Sequence, residues 1–271
     1  MARDTSSPDR LYGRQPVVYG TVWGHTLEQD GSGFYNELFS ALTSEGLNGQ
    51  VDYKPMPYRR ARTQFKASRS ACLYPSALSV LKAGGDDQPG LLESQSLFQA
   101  QEHIFTRPDS QPPRSLADLR GKTVAIPTGS IMAKILKGSG ARLITVHDET
   151  AKAQMLMTGR VDMMAGMLPN EHLIFASLGT HMAAYDEDFT LLEAGIGVVC
   201  HDTPENRSFI RTLDDRIKSL QQTSAFREKL SEAGIMETSG IEASLNGITP
   251  AAGPRLRFVH PGRRSPFSNI R

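Results

Sequence analysis

Apolar residues along this chain recur in two alternating rhythms, one of short β-rich runs and one of helical spacing. PVVYGTVWG is a β-rich run that ends at glycine and predicts a strand. GFYNELFSALTSEG follows, with Phe34, Leu38 and Leu42 spaced i, i+4 and Phe39 beside them, which predicts an amphipathic helix closed by Gly46. QVDYKPM alternates Val51 and Tyr53 before Pro55 and reads as an edge strand. YRRARTQFKAS places Tyr58, Ala61 and Phe65 on one helical face, and ACLYP is a third short strand. AGGDDQPG then ends the regular pattern with turn formers, and LFQAQEHIFTR resumes it as a strand. In PDSQPPRS the prolines fix φ and remove donors, so neither helix nor central strand continues; the segment reads as a lobe boundary.

A second series starts there. SLADLRGK predicts a short helix, GKTVAIP a strand, TGSIMAKILKGSG a helix beginning at Thr128, Gly129 and Ser130, and RLITV a strand. DETAKAQMLMTG predicts a helix capped by Asp148, and VDMMAGM a further strand. After PNEHLIFASLG and a loop, FTLLEAGIGVVCH is a long β-rich run, and PENRSFIRTLDDRIKSL and SAFREKLSEAG are two closing helices. The β-α-β-α-β order has occurred twice without sequence similarity, which predicts an α/β protein of two lobes, each a mostly parallel sheet flanked by helices. The first ten residues and the Pro-, Gly- and Arg-rich stretch from about Asn246 lack periodicity and are expected as flexible tails.

Composition narrows the functional classes. The 271 residues carry a formal charge of +1, so no global field recruits nucleic acid or an anionic membrane surface. No run of ~18 apolar residues is present, which argues against direct membrane insertion. MARDTSSPDR lacks the apolar core of a secretory signal and fits either a cytoplasmic chain or a mature segment whose signal was removed. Cys72 and Cys200, both in strand-like runs, read either as two small buried hydrophobes or as a disulfide made in an oxidising compartment.

Four pieces in order, DGSGFYNELFSAL, the run Pro57-Tyr58-Arg59-Arg60-Ala61, SLADLRGKTVAIPTGSI and TGRVDMMAGM, resemble the extracellular solute-binding proteins of family 3. The third piece is the most specific, and the likeness spans roughly residues 15 to 240. The resemblance implies the type II periplasmic binding fold with a two-segment hinge crossing near residues 105 and 190. Lobe one would comprise residues 11–104 and 191–245, and lobe two residues 105–190. It also implies residence in the periplasm or outside the cell, a small-molecule ligand held between the lobes, and delivery to the permease of an ABC transporter. A monomer without cofactor or metal is expected.

The candidate site combines both sources. Thr128, Gly129, Ser130 and Ile131 sit where a strand meets a helix, whose free amides and positive dipole end make an anion seat; an ordinary N-cap is the plainer reading. Trp23 follows the first strand, and Tyr74, Pro75 and Ser76 end the third, at the strand ends where open α/β sheets bind ligands. Tyr58 and Arg60 match a Pro-Trp-x-Arg-Ala run of part of the family, with Arg60 facing the cleft or bracing the hinge, and Tyr35 lies in the first matching piece. Gly166, Met167 and Asn170 lie at or past the end of VDMMAGM, where methionines either line a soft wall or pack in the core.

One departure bears on the ligand. Amino-acid binders of the family carry a Thr-x-x-Arg element after the third strand, whose arginine grips the carboxylate. SALSVLKAGGDDQPGLLESQ has no arginine, and Lys82 offers a point charge instead of a planar fork. A ligand other than a standard amino acid is therefore expected, with an acidic group seated at Thr128. The seven histidines, among them His25, His103, His172, His181, His201 and His260, show no paired helical spacing for zinc, and no nucleophile elbow or phosphate loop occurs. Glu37, Asp52, Asp162 and Glu171 are candidates for a catalytic carboxylate, but each reads more simply as a solvated charge. Binding without chemistry is thus the leading expectation, with a dehydratase-like cleft enzyme or a sensory ligand-binding domain as alternatives.

Overall fold

The computed structural model describes residues 15–47, 49–86 and 88–235; both expected tails, 1–10 and 246–271, lie outside the described residues. The chain runs β1 (Val17–Val22), α1 (Phe34–Thr43), β2 (Asp52–Pro57), α2 (Tyr58–Ala67), β3 (Ala71–Ser76), α3 (Leu78–Gly84), β4 (Leu91–Glu93) and β5 (Phe98–Phe105). A 3₁₀ turn (Leu116–Leu119) precedes β6 (Thr123–Pro127), α4 (Met132–Ile135), β7 (Arg142–Val146), α5 (Glu149–Met157), β8 (Met163–Leu168) and α6 (Asn170–Ser177). Then come β9 (Leu192–His201), α7 (Pro204–Gln221) and α8 (Ser224–Glu232). The helix α3 and the short β4 fall in a stretch for which periodicity predicts no regular element.

Strands pair in the order β2-β1-β3-β9-β5-β8-β6-β7, with β4 on β9. Within each half the pairing is parallel, β2/β1/β3 in the first and β7/β6/β8 in the second, as the crossover helices require. Two antiparallel strands join the halves. β9 pairs with β3 through its C-terminal end and with β5 through Leu192–Ile196, and β5 continues onto β8 through Gln101–Phe105. The hydrogen-bonded path is therefore continuous, although the cores on either side of the crossing are separate.

Both faces of each half are covered, and strand alternation decides which residue enters which core. On β3, Cys72 and Tyr74 join Phe34, Leu38, Leu42, Phe209 and Leu213, whereas Leu73 between them joins Ala61, Phe65 and Leu81 on the opposite face. On β6, Val124 and Ile126 pack with Leu119 and Met132, while Ala125 packs with Ala153, Leu156 and Phe175. Burying each such large apolar side chain contributes about 1.5–3 kcal/mol, so a strand shared by two cores is held on both faces. The helices start where their caps stand: Asp148 Oδ1 accepts from the Ala151 amide at 2.6 Å, and Thr203 Oγ1 from Asn206 at 3.1 Å with Pro204 at the first turn.

Cys72 and Cys200 are directly opposed on β3 and β9 and form a disulfide, with Cα atoms 4.0 Å apart. Of the two readings open from sequence, the bridge is the one realised. It ties the end of the returning strand to the first half, so everything between β3 and β9 lies within one covalent loop.

Candidate functional site

The two halves meet over a cavity of about 70 Å³ lined from both sides. The first half contributes Trp23 after β1, Tyr58 at the start of α2, and Val80 of α3. The second contributes Pro127, Ser130, Ile131 and Met132 around the end of β6, and Gly166, Met167 and Asn170 at the end of β8. Glu102 and Leu192, on the two crossing strands, form the back.

Trp23 and Tyr58 face each other with ring centroids 4.5 Å apart at 44°. The Tyr58 hydroxyl accepts from Arg62 Nη1 at 2.8 Å, and the Arg62 guanidinium carbon lies 5.1 Å from the Tyr58 ring centroid. Burial pushes the Tyr58 phenol up, partly offset by the adjacent arginine. Arg62 itself is anchored by an ion pair to Asp86, which also pairs with Lys66.

Among the described residues, three hydrogen bonds cross between the halves around the cavity. The Tyr35 hydroxyl donates to Asn170 Oδ1 at 2.9 Å, joining α1 to α6. Lys134 Nζ donates to the Ala83 carbonyl at 3.0 Å, joining α4 to α3. Arg62 Nη1 reaches the Gly129 carbonyl at 3.5 Å. The described arrangement therefore has both halves drawn together over the cavity.

Of the residues selected from sequence, Trp23, Tyr58, Ser130, Ile131, Gly166, Met167 and Asn170 come together on this cavity. Tyr35 stands one bond behind it through Asn170. Tyr74 is fully buried in the first core, where its hydroxyl donates to the Tyr35 carbonyl at 2.9 Å. Pro75, after a cis peptide bond, and Ser76 also stay off the cavity; the Tyr74 and Pro75 carbonyls accept from Thr21 Oγ1. Arg60 is exposed on α2 and is not part of the lining.

The helix start expected at Thr128–Ser130 is not formed. Gly129 has φ +82° and turns the chain, and α4 is a single turn from Met132 with Ile131 before it. Four residues align too few peptide dipoles for an anion seat. The Thr128 amide is spent on the Val146 carbonyl at 2.9 Å, and neither Thr128 nor Gly129 lines the cavity; Gly129 is exposed, and a Cβ there would meet Arg59 Cγ at 3.5 Å.

A charged cluster that sequence reading missed forms the floor. Lys152 of α5 is 1% exposed, and its ammonium donates to the Ala165 carbonyl at 2.8 Å, to Glu171 Oε1 at 2.7 Å and to the Glu149 carboxylate. Glu171 is thus no solvated charge: it is 1% exposed, and its Oε2 has no hydrogen-bond partner. The other three carboxylates read as solvated do serve surface roles, with Glu37 and Asp52 paired to Lys229 and Lys54, and Asp162 accepting from the Thr123 amide at 2.7 Å. The Glu171 carboxylate lies against the β8 backbone, where a Cβ at Gly166 would fall 2.3 Å from Oε1, so only glycine leaves room.

Burial pushes Glu102 up to about 8, with Lys152 opposing and Glu171 and Glu149 adding to the rise. Burial likewise pushes Glu171 up to about 7 against the pull of Lys152. Lys152 moves upward despite its burial, because Glu149 and Glu171 hold its charge. Among the described residues no cluster of His, Cys, Asp and Glu is arranged to hold a metal ion, and no arginine lines the cavity. Nor is any described helix long and apolar enough to cross a membrane.

No known family profile matches the chain, and no curated protein does either. Solved structures do match in fold. A histidine kinase sensor domain with similarity to periplasmic binding proteins aligns over 81% of this chain and 95% of its own, at 19% identity and a TM-score of 0.62. The substrate-binding protein of an amino acid ABC transporter aligns over 80% and 97%, at 16% identity and a TM-score of 0.61. The ancestral amino acid-binding protein AncCDT-1, a precursor of cyclohexadienyl dehydratase, aligns over 81% and 95%, at 16% identity and a TM-score of 0.60. The chain therefore has the two-lobed periplasmic-binding-protein fold that its sequence resemblance implied. At these identities the likeness carries the fold alone.

Proposed function

We propose that this chain is a solute-binding protein that captures a small molecule between its lobes and hands it unchanged to the permease of an ABC transporter. The observation that supports this reading is the cavity itself, lined by Trp23 and Tyr58 from one half and by Ser130, Ile131, Met167 and Asn170 from the other. A ligand held there touches both halves at once, so its binding energy favours the closed arrangement over an open one. Lobe one is taken as residues 11–104 and 191–245 and lobe two as 105–190, pivoting where Phe98–Glu102 pairs with Leu192–Ile196. In this reading the protein works as a monomer outside the cytoplasmic membrane; the location accords with a Cys72–Cys200 bridge, which persists in oxidising compartments.

The ligand is not a standard amino acid in this reading. A carboxylate entering the cavity meets no arginine, and Lys152 has already given its three donors to protein acceptors. A thermal-shift screen of small metabolites, followed by mass spectrometry of each hit after incubation, tests the reading. A binder raises the melting temperature and returns its ligand intact. Chemical conversion of the hit overturns the binding reading, and micromolar titration of several common amino acids overturns the ligand restriction.

A further inference from the structure

The cavity's charges identify the class of its occupant, an inference that rests on the binding reading above. Ionisable side chains reach it from several elements: Glu102 from β5, Glu149 and Lys152 from α5, Glu171 from α6 and the Tyr58 phenol from α2. The lining from β8 and β9, namely Gly166, Met167 and Leu192, carries no charge. Three carboxyl groups thus face one ammonium.

That ammonium is fully committed. Its three N–H bonds go to Ala165, Glu171 and Glu149, which leaves no donor for a ligand. Acceptors, by contrast, remain. Glu171 Oε2 is buried without a hydrogen-bond partner, and the Glu102 carboxyl, on a residue 6% exposed, feels Lys152 only through space. A buried carboxylate lacking donors is costly, so the unmet demand of this cavity is for positive charge and N–H groups. Trp23 adds to this, since an indole face attracts cations and repels anions, whereas the Tyr58 ring already carries Arg62 5.1 Å from its centroid. Arg62 does not line the cavity and is engaged by the Tyr58 hydroxyl, Asp86 and the Gly129 carbonyl.

We propose that the cleft captures a small organic cation, an ammonium or guanidinium compound without a carboxylate, its charge seated between Glu102 and Glu171 and its remaining atoms against Trp23 and Tyr58. In the closed arrangement the cavity of about 70 Å³ has room for roughly five water-sized groups, which sets the scale of the ligand. Burial leaves Glu102 and Glu171 protonated in part at neutral pH, and an entering cation displaces those protons.

The test is calorimetric titration of the full chain with guanidinium, tetramethylammonium, ethanolammonium and putrescine, set against acetate, lactate and glycerol, between pH 6 and 8. Guanidinium and tetramethylammonium keep their charge throughout, so any pH dependence belongs to the protein. The expected result is binding of at least one cation, with affinity rising up to about tenfold per pH unit. Repeating the titration at pH 7 in buffers of different ionisation enthalpy is expected to show about one proton released per cation bound. Glu102→Gln is expected to weaken that cation about tenfold or more and to flatten the pH dependence. Should this variant fold poorly, the proton count on the unmodified chain decides alone. Binding of acetate, lactate or glycerol in preference to every cation overturns the inference while leaving the binding-protein reading intact. Cation binding without proton release overturns the proposed seat. Absence of binding across this panel and the metabolite screen overturns both readings.

Discussion

Raising the pH from 6.5 to 8.5 is expected to weaken the ligand-free fold. Unfolded, Glu102 and Glu171 titrate near 4.5 and are ionised throughout this interval. Folded, Glu102 keeps its proton up to about 8 and Glu171 up to about 7, because burial penalises their charged forms. A carboxyl that binds its proton more tightly in the fold supplies stability at low pH that is lost as pH climbs through the folded value. Over the interval, Glu102 accounts for a loss of about 2 kcal/mol and Glu171 for about 1 kcal/mol. His103 acts in the opposite sense: burial lowers its imidazole, so stability gains as the unfolded imidazole loses its proton. Lys152, shifted upward, changes nothing in this range. The carboxyl loss of about 3 kcal/mol, which His103 reduces in part, corresponds to a melting temperature lower by about 6–12 °C at pH 8.5 than at 6.5. Urea denaturation at a series of pH values, followed by Trp23 fluorescence, measures it, with Glu102→Gln as the control expected to remove most of the slope. A stability that stays level or rises across the interval, or a Glu102→Gln variant with an unchanged slope, refutes the burial argument.

The disulfide and the contact between the lobes give two further expectations. Opening the Cys72–Cys200 bridge frees a loop of sequence separation 128, for which chain entropy predicts a loss of about 5 kcal/mol; denaturation with and without reductant checks it, and a loss below about 1 kcal/mol contradicts the entropy account. Tyr35→Phe removes the hydroxyl bond to Asn170 Oδ1 and leaves that buried acceptor unpaired, so closure is expected to cost about 1–3 kcal/mol more, read as a larger radius of gyration in solution scattering and a proportionally weaker ligand affinity.

Periodicity made the fold legible because each half obeys it. The run ACLYP sends Cys72 and Tyr74 to one core and Leu73 to the other, and both β-α-β-α-β series appear in the structure. What failed was local. Leu78–Gly84 is a seven-residue helix ending in a glycine-rich turn, too short to display a stripe before the turn signals dominate. TGSIMAKILKGSG has helical composition, but only Met132–Ile135 stays helical, since Gly129 turns the chain first and Gly138 adopts φ +87° soon after. Trp23 and the end of β8 line the cavity as strand-end positions do in this architecture, whereas Tyr58, at the start of a helix, was legible only through a family-like motif. The charged floor was missed because lysine and glutamate were read by type, although their phase was visible. Glu149, Lys152, Ala153 and Leu156 form an i, i+3, i+4, i+7 stripe, the buried face of α5. Glu102 shares its strand face with Phe98, Ala100 and Ile104, and Glu171 its helix face with Ile174 and Phe175. Charges on the apolar phase of an element are buried and need a partner, and that is the signal by which these three elements pointed to a buried charged cluster.

The cost of burying that cluster and its service to a ligand are two sides of one equilibrium. Three carboxyl groups around one saturated ammonium leave the ligand-free fold holding protons it would otherwise release. A core built only for stability would replace Glu102 with an apolar residue, since neither Lys152 nor any close donor repays its desolvation. Retaining it makes sense if positive charge arrives from outside. Linkage then requires that a cation which ionises Glu102 gain affinity over the same pH interval in which the ligand-free fold loses stability, by about the free energy that Glu102 contributes to that loss. The two titrations, one of stability and one of affinity, must therefore mirror each other about the ionisation of Glu102. A mismatch between them would place the bound charge elsewhere in the cleft.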